Sequence, residues 1–151
     1  ILFDYGPYLM QEMLRPRIGS DRYHGAFDLL AREHAHSTIT TERIQDYLEQ
    51  ANGSSLDDFF DFWVYGGFIP KKVALRWEWK DGQFNGELTC DVPFGAFDVA
   101  VDIDGDTHWV DIKDGTGTLN LALATEPESV QLDPDHRTLI VKRTAKRVDL
   151  D

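Results

Sequence analysis

Cysteine is nearly missing from this chain: Cys90 is the only one among 151 residues. A single thiol excludes an intramolecular disulfide and any zinc site built on several cysteines of this chain. Long apolar runs are missing too. No stretch reaches the roughly 18 residues that a membrane-spanning helix needs, and no Lys/Arg-rich amphipathic segment suits an anionic bilayer surface. Positive charge is scarce, with 15 Lys and Arg against 27 Asp and Glu and a formal net charge of -12. The excess is shared evenly between residues 1–69 and 70–151, so composition implies no basic face, and a phosphate backbone would be repelled. Nucleic acid and membranes are therefore excluded as partners. An initiator Met and a signal-peptide pattern are also lacking. The chain opens on Ile1-Leu2-Phe3 inside a helical pattern, which is read as a cut rather than a natural start. The lone cysteine and the missing signal favour a cytoplasmic protein.

What is present is globular. Hydrophobic residues make up 42% of the chain and aromatics 12%, too many for a disordered acidic tail. The apolar period changes near Pro70. Before it, Leu56, Phe59, Phe60, Trp63 and Val64 form one helical stripe opposite Asp57, Asp58 and Asp61. Ser55 and Asp58 read as a capping-box-like start. Ile44, Tyr47, Leu48 and Ala51 form another stripe, between a Thr40 cap and an Asn52-Gly53 stop. Tyr23, Phe27 and Leu30 mark an earlier helix, and Leu9, Met10, Met13 and Leu14 the first, with Pro16 disturbing its last turn.

After Pro70 the apolar residues alternate. Val73, Leu75, Trp77 and Trp79 open the series; Leu88, Cys90 and Val92 follow after Asp81-Gly82. Phe97 to Ile103, then Val110 and Ile112 after Asp104-Gly105-Asp106, continue it. Leu119 to Leu123, Val130 and Leu132, and Leu139 and Val141 complete seven short strands. The expected fold is α+β in two parts: an N-terminal lobe of about four helices over 1–70 and an antiparallel Ig-like β-sandwich over 71–143. Residues 144–151 read as a frayed polar tail.

The residues offer no complete site. Glu33, His34 and His36 cluster, but positions two apart on a helix point to nearly opposite sides, so a polar helix end is the reading. No HExxH is present. Asp102-Ile103-Asp104-Gly105-Asp106 has its glycine too early for a calcium loop and reads as a strand entering a turn. Asp133-Pro134-Asp135 reads as another turn. Cys90 reads as a small inert hydrophobe, Gly66-Gly67 as a helix stop, and Trp109 as the tryptophan able to mark a partner surface.

Residues 5–70 carry a resemblance. Tyr5-Gly6-Pro7-Tyr8-Leu9-Met10-Gln11-Glu12-Met13-Leu14-Arg15 and Ile18-Gly19-Ser20-Asp21-Arg22-Tyr23 resemble the helix after the zinc site in the M1 family of zinc aminopeptidases. Thr38-Ile39-Thr40-Thr41-Glu42-Arg43-Ile44, Leu56-Asp57-Asp58-Phe59-Phe60-Asp61-Phe62-Trp63 and Gly67-Phe68-Ile69-Pro70 follow in the family's order. Val130-Gln131-Leu132-Asp133-Pro134-Asp135 is similar to the closing strands of the family's β-sandwich. The resemblance covers about 140 residues. It implies the C-terminal region of a metallopeptidase that removes N-terminal residues from peptides. It also implies that the zinc ligands and general base lie in a preceding catalytic part against which this chain packs. The chain then holds no cofactor itself, and zinc belongs to the full-length enzyme, whose partner is the peptide substrate. The family's Tyr-x-x-Gly, whose Tyr donates to the oxyanion, aligns Gly6 with its Gly and leaves Phe3 at the Tyr position. The stretch from Gly6 to Gly19 is one residue long for the family, and a shifted alignment places Tyr5, or else Tyr8, at the cleft. The competing reading is a non-catalytic module that binds a protein or peptide.

Overall fold

The computed structural model describes residues 2–150, with side chains from Tyr5 onward. The chain divides into two compact units, Ile1–Gly66 and Gly67–Asp151.

The first unit is four helices. Helix α1 runs as an α-helical Leu2–Tyr8, a π-helical Leu9–Leu14 and an α-helical Arg15–Ile18. In the π segment each N–H reaches the carbonyl five residues back, so the turn holds one more residue than an α turn. Pro16 sits where the π segment gives way to the last α segment and, having no N–H, donates no hydrogen bond to the preceding turn. Gly19, at φ 93°, closes α1 and opens α2, Ser20–Glu33. Helix α3, Thr41–Asn52, begins at Thr40, whose hydroxyl accepts from the Arg43 N–H at 3.3 Å, and stops at left-handed Gly53.

Helix α4 combines an α turn, Asp57–Phe59, with a π segment, Phe60–Tyr65. Its cap departs from expectation. Leu56 is the capping residue, the Ser55 hydroxyl accepts from the Asp57 N–H at 3.0 Å, and the Glu49 carboxylate accepts from the Leu56 N–H at 2.8 Å. A residue from the preceding helix thus supplies the acceptor that sequence assigns locally. The wide turn also lets Phe62 join Phe59, Phe60 and Trp63 in the core while Val64 stays half-buried.

The second unit is seven strands: β1 Lys72–Lys80, β2 Gln83–Cys90, β3 Ala96–Ile103, β4 Asp106–Lys113, β5 Thr116–Ala122, β6 Val130–Leu132 and β7 Lys142–Arg147. Three hairpins turn on Asp81-Gly82, Asp104-Gly105 and Asp114-Gly115, and in each both residues have positive φ. That is the twist a two-residue turn must carry, and Asp-Gly supplies it cheaply. One face of alternate residues forms the core: Val73, Leu75 and Trp77 meet Phe84 and Leu88, and Phe97, Val99, Val101 and Ile103 meet Val110 and Ile112.

The hydrogen-bonded order is continuous, β6-β3-β4-β5-β2-β1-β7, antiparallel except between β1 and β7. The seven strands therefore form one mostly antiparallel sheet curling toward a barrel, where the alternation alone led to an expectation of two facing sheets. Strands β4 and β5 share a single registered pair, Lys113 and Thr116. Beyond it Gly117 lets the backbone of β5 approach β4, since a β-carbon there would stand 2.7 Å from the Asp111 carbonyl oxygen.

Two boundaries near the end are corrected. Leu139 and Val141 lie outside any strand, and Val141 is 71% exposed. The seventh strand is instead Lys142–Arg147, most of it in the stretch read as a frayed tail, and it pairs in parallel with β1. A polar strand can be ordered when its ladder partner is already in place, and hydropathy does not reveal that.

Candidate functional site

Tyr5 and Tyr8 both lie in the α-helical opening of α1, three residues apart and so on one face. Tyr5 is 39% exposed, and among the described residues its hydroxyl has no hydrogen-bond partner. Tyr8 is half-buried. The side chain of Phe3 lies outside the described residues. A β-carbon at Gly6 would meet nothing within 4 Å, so close packing does not require glycine there. The π segment follows at once. Its wider turn, over Leu9–Leu14, holds one more residue than an α turn would.

A second polar constellation joins α2 to α3. The Tyr47 hydroxyl donates to the Glu33 carboxylate, and His34 Nε2 lies 3.2 Å from the Tyr47 hydroxyl oxygen. The hydrogen bond to Glu33, with burial second, pushes the Tyr47 phenol above its ordinary value. His36, at φ 68°, stands in a left-handed turn and is exposed. Glu33 and His34 thus share a tyrosine, and His36 does not join them. Sequence reading counted Tyr47 only as part of an apolar stripe. The available signal was that a buried tyrosine hydroxyl requires a polar partner.

The remaining candidates separate. Cys90 is half-buried; burial pushes its thiol up, and its sulfur accepts from the Val92 N–H at 3.3 Å. A thiol held neutral in this way is a poor nucleophile. Asp104 is occupied by structure, one carboxylate oxygen accepting from the N–H groups of Glu128 and Ser129 at 3.0 and 2.8 Å. Asp133 is fully buried and accepts from the N–H groups of Arg137 and Thr138 and from Arg143 Nε. Trp109 is 54% exposed on β4, registered opposite Ala100. Among the described residues no three His, Cys, Asp or Glu side chains converge at metal-binding distance.

Neither a protein-family model nor a curated protein sequence matches the chain. A solved structure does. The crystal structure of Legionella pneumophila aminopeptidase A in complex with aspartic acid is similar over 94% of this chain, with a TM-score of 0.69 and 13% identity. The likeness is one of fold. This chain spans 17% of the length of that one, so the two share an aminopeptidase-related architecture over a minor part of the larger protein. Among the described residues no helix is long and apolar enough to cross a membrane.

Proposed function

We propose that these residues are the C-terminal region of an M1-like zinc aminopeptidase: the end of the helical catalytic lobe followed by its β domain. The observation that carries this is the agreement of two independent likenesses. The ordered segments from Tyr5 to Pro70 resemble that family, and the fold matches an aminopeptidase over nearly the whole chain. In this reading the parent removes N-terminal residues from peptides in the cytoplasm, and this region packs against the part that holds zinc.

The described residues do not make a zinc donor set. The contribution assigned to this region is a hydrogen bond. Tyr5, 39% exposed and with no hydroxyl partner among the described residues, is the candidate donor to a tetrahedral oxyanion, and Tyr8 the alternative; such a donor is worth about 3 kcal/mol when preorganised. Lining a cleft and closing it are the remaining tasks of the helical lobe.

Zinc content and hydrolysis of aminoacyl p-nitroanilides, measured on the 151-residue chain, test the reading. Neither stoichiometric zinc nor hydrolysis is expected, and either one would overturn it. In the parent enzyme Tyr5→Phe is expected to lower kcat about a hundredfold with KM little changed.

A second reading, a non-catalytic module that binds a protein or peptide, is favoured by the exposed Trp109. It predicts a partner whose binding is indifferent to zinc chelation.

A further inference from the structure

Strands β1 and β7 segregate charge in a way the composition conceals. They hold Lys72, Arg76, Lys80, Lys142, Arg143, Lys146 and Arg147, seven of the ten basic residues of the second unit, but only Glu78 of its sixteen acidic ones. Two of the seven are spent internally: Arg143 pairs with Asp133, and Arg147 pairs with Glu126 and lies over the Trp77 ring.

Four of the others form a strip. The parallel register places Lys72 opposite Lys142 and Arg76 opposite Lys146. Registered residues project to the same side of a sheet. That side is the outer one, because Val73, Leu75 and Trp77 between them are buried while all four cations are exposed. Among the described residues none of the four makes an ion pair. Glu87 faces Arg76 across β2, and the Asp91 carboxylate accepts from the backbone N–H groups of Lys71 and Lys72; neither acid pairs with a side chain of the strip.

Two like-charge pairs set directly opposite each other destabilise a sheet. Toward β2 the ladder sets Glu87 opposite Arg76, and Glu78 follows Arg76 on the same face, yet between β1 and β7 it places cation against cation twice. The two dicationic points are four residues apart along the strand, roughly 13 Å at about 3.3 Å per residue. That spacing matches carboxylates four residues apart in an extended acidic segment.

We propose that the outer face of β1 and β7 docks an acidic polypeptide segment in extended form, its carboxylates bridging Lys72 with Lys142 and Arg76 with Lys146. Nucleic acid fits less well. Between the cations lie Ala74 and Thr144, with no aromatic side chain on which a base could stack, and the net charge of the chain repels a long polyphosphate. The docking face is independent of the aminopeptidase reading and stands or falls separately.

Fluorescence anisotropy with a labelled ten-residue polyglutamate peptide, at low and physiological salt, tests it on the full chain. Saturable binding that weakens with salt is expected. The Lys72→Gln/Arg76→Gln/Lys142→Gln/Lys146→Gln variant should lose affinity by about tenfold or more. An Arg17→Gln/Arg22→Gln/Arg32→Gln control, altering exposed helical cations, should bind as the wild type does. Should the fourfold variant fail to fold, the Lys72→Gln/Lys142→Gln and Arg76→Gln/Lys146→Gln pairs are each expected to show a partial loss. No saturable binding, equal loss in the helical control, or tighter binding of a twelve-nucleotide single-stranded DNA would each overturn the proposal.

Discussion

Arg143 at the start of β7 and Asp133 just after β6 form a buried ion pair, Nε to Oδ2 at 2.7 Å, linking the two ends of the seven-strand order. Both partners are also tied to backbone. The Asp133 carboxylate also takes the N–H groups of Arg137 and Thr138, and the guanidinium also donates to the carbonyls of Ile140 and Thr138. The Asp133 N–H donates to the Ala100 carbonyl at 2.7 Å, and the Thr138 hydroxyl to the Asp98 carbonyl at 3.2 Å. The carboxylate and the guanidinium thus tie the segment 133–143 to itself, while the Asp133 N–H and the Thr138 hydroxyl hold it against β3.

Removing one partner leaves the other charge buried and unpaired. Asp133→Ala is expected to cost about 3–5 kcal/mol, read as a lower urea midpoint. Amides of Lys142–Arg147 should exchange faster in Arg143→Ala, because the contact that anchors β7 is lost. Unchanged protection there would show that the ladder to β1 suffices alone.

Two glycines should respond in opposite directions to alanine. Gly117→Ala places a β-carbon 2.7 Å from the Asp111 carbonyl oxygen, and the backbone shift it forces should cost about 1–3 kcal/mol. Gly25→Ala, in the middle of α2 with nothing within 4 Å, should stabilise by about 0.5–1 kcal/mol. Thermal unfolding of the two variants beside the wild type checks both signs.

Two tyrosines shape the alkaline limb. Tyr47 is raised chiefly by its hydrogen bond to Glu33, and Tyr23 chiefly by burial. A phenol raised on folding contributes stability that is fully present below its unfolded pKa near 10 and lost as pH climbs through the folded value. Stability is therefore expected to fall above about pH 10. Glu33→Gln should let Tyr47 ionise closer to the ordinary tyrosine range, seen as earlier absorbance growth at 295 nm. Tyr47→Phe should flatten the alkaline fall.

Cys90 should react slowly with iodoacetamide at pH 7. Its thiol is pushed up by burial and sits beside Asp91, so less thiolate is present than in a free cysteine peptide. Alkylation as fast as the peptide's would contradict that placement.

Local physics made much of the fold legible. Asp81-Gly82 and Asp104-Gly105 turn because two consecutive positive φ angles suit that dipeptide, and the alternation from Phe97 to Ile103 marks a strand with one buried face. Thr40 and Gly53 end α3 through their own chemistry. The candidate site was legible only as Tyr5, or else Tyr8, on the first helix; the partners of Tyr47 lie 13 and 14 residues away and left no local pattern.

By itself, then, the sequence determined the elements whose causes lie within a few residues: caps, hairpin turns and the period of burial. Tertiary structure decided the rest. A strand as polar as Lys142–Arg147 is ordered by β1 and by the Asp133–Arg143 pair, and the wide turns in α1 and α4 by the side chains they bring inward. The continuity of the strand order comes from the one registered pair, Lys113 with Thr116, that joins β4 to β5. The even negative charge of the composition implied no basic face; parallel pairing of two strands sixty-odd residues apart produced one. Such effects depend on which distant residues meet, and that information is absent from any short window of the chain.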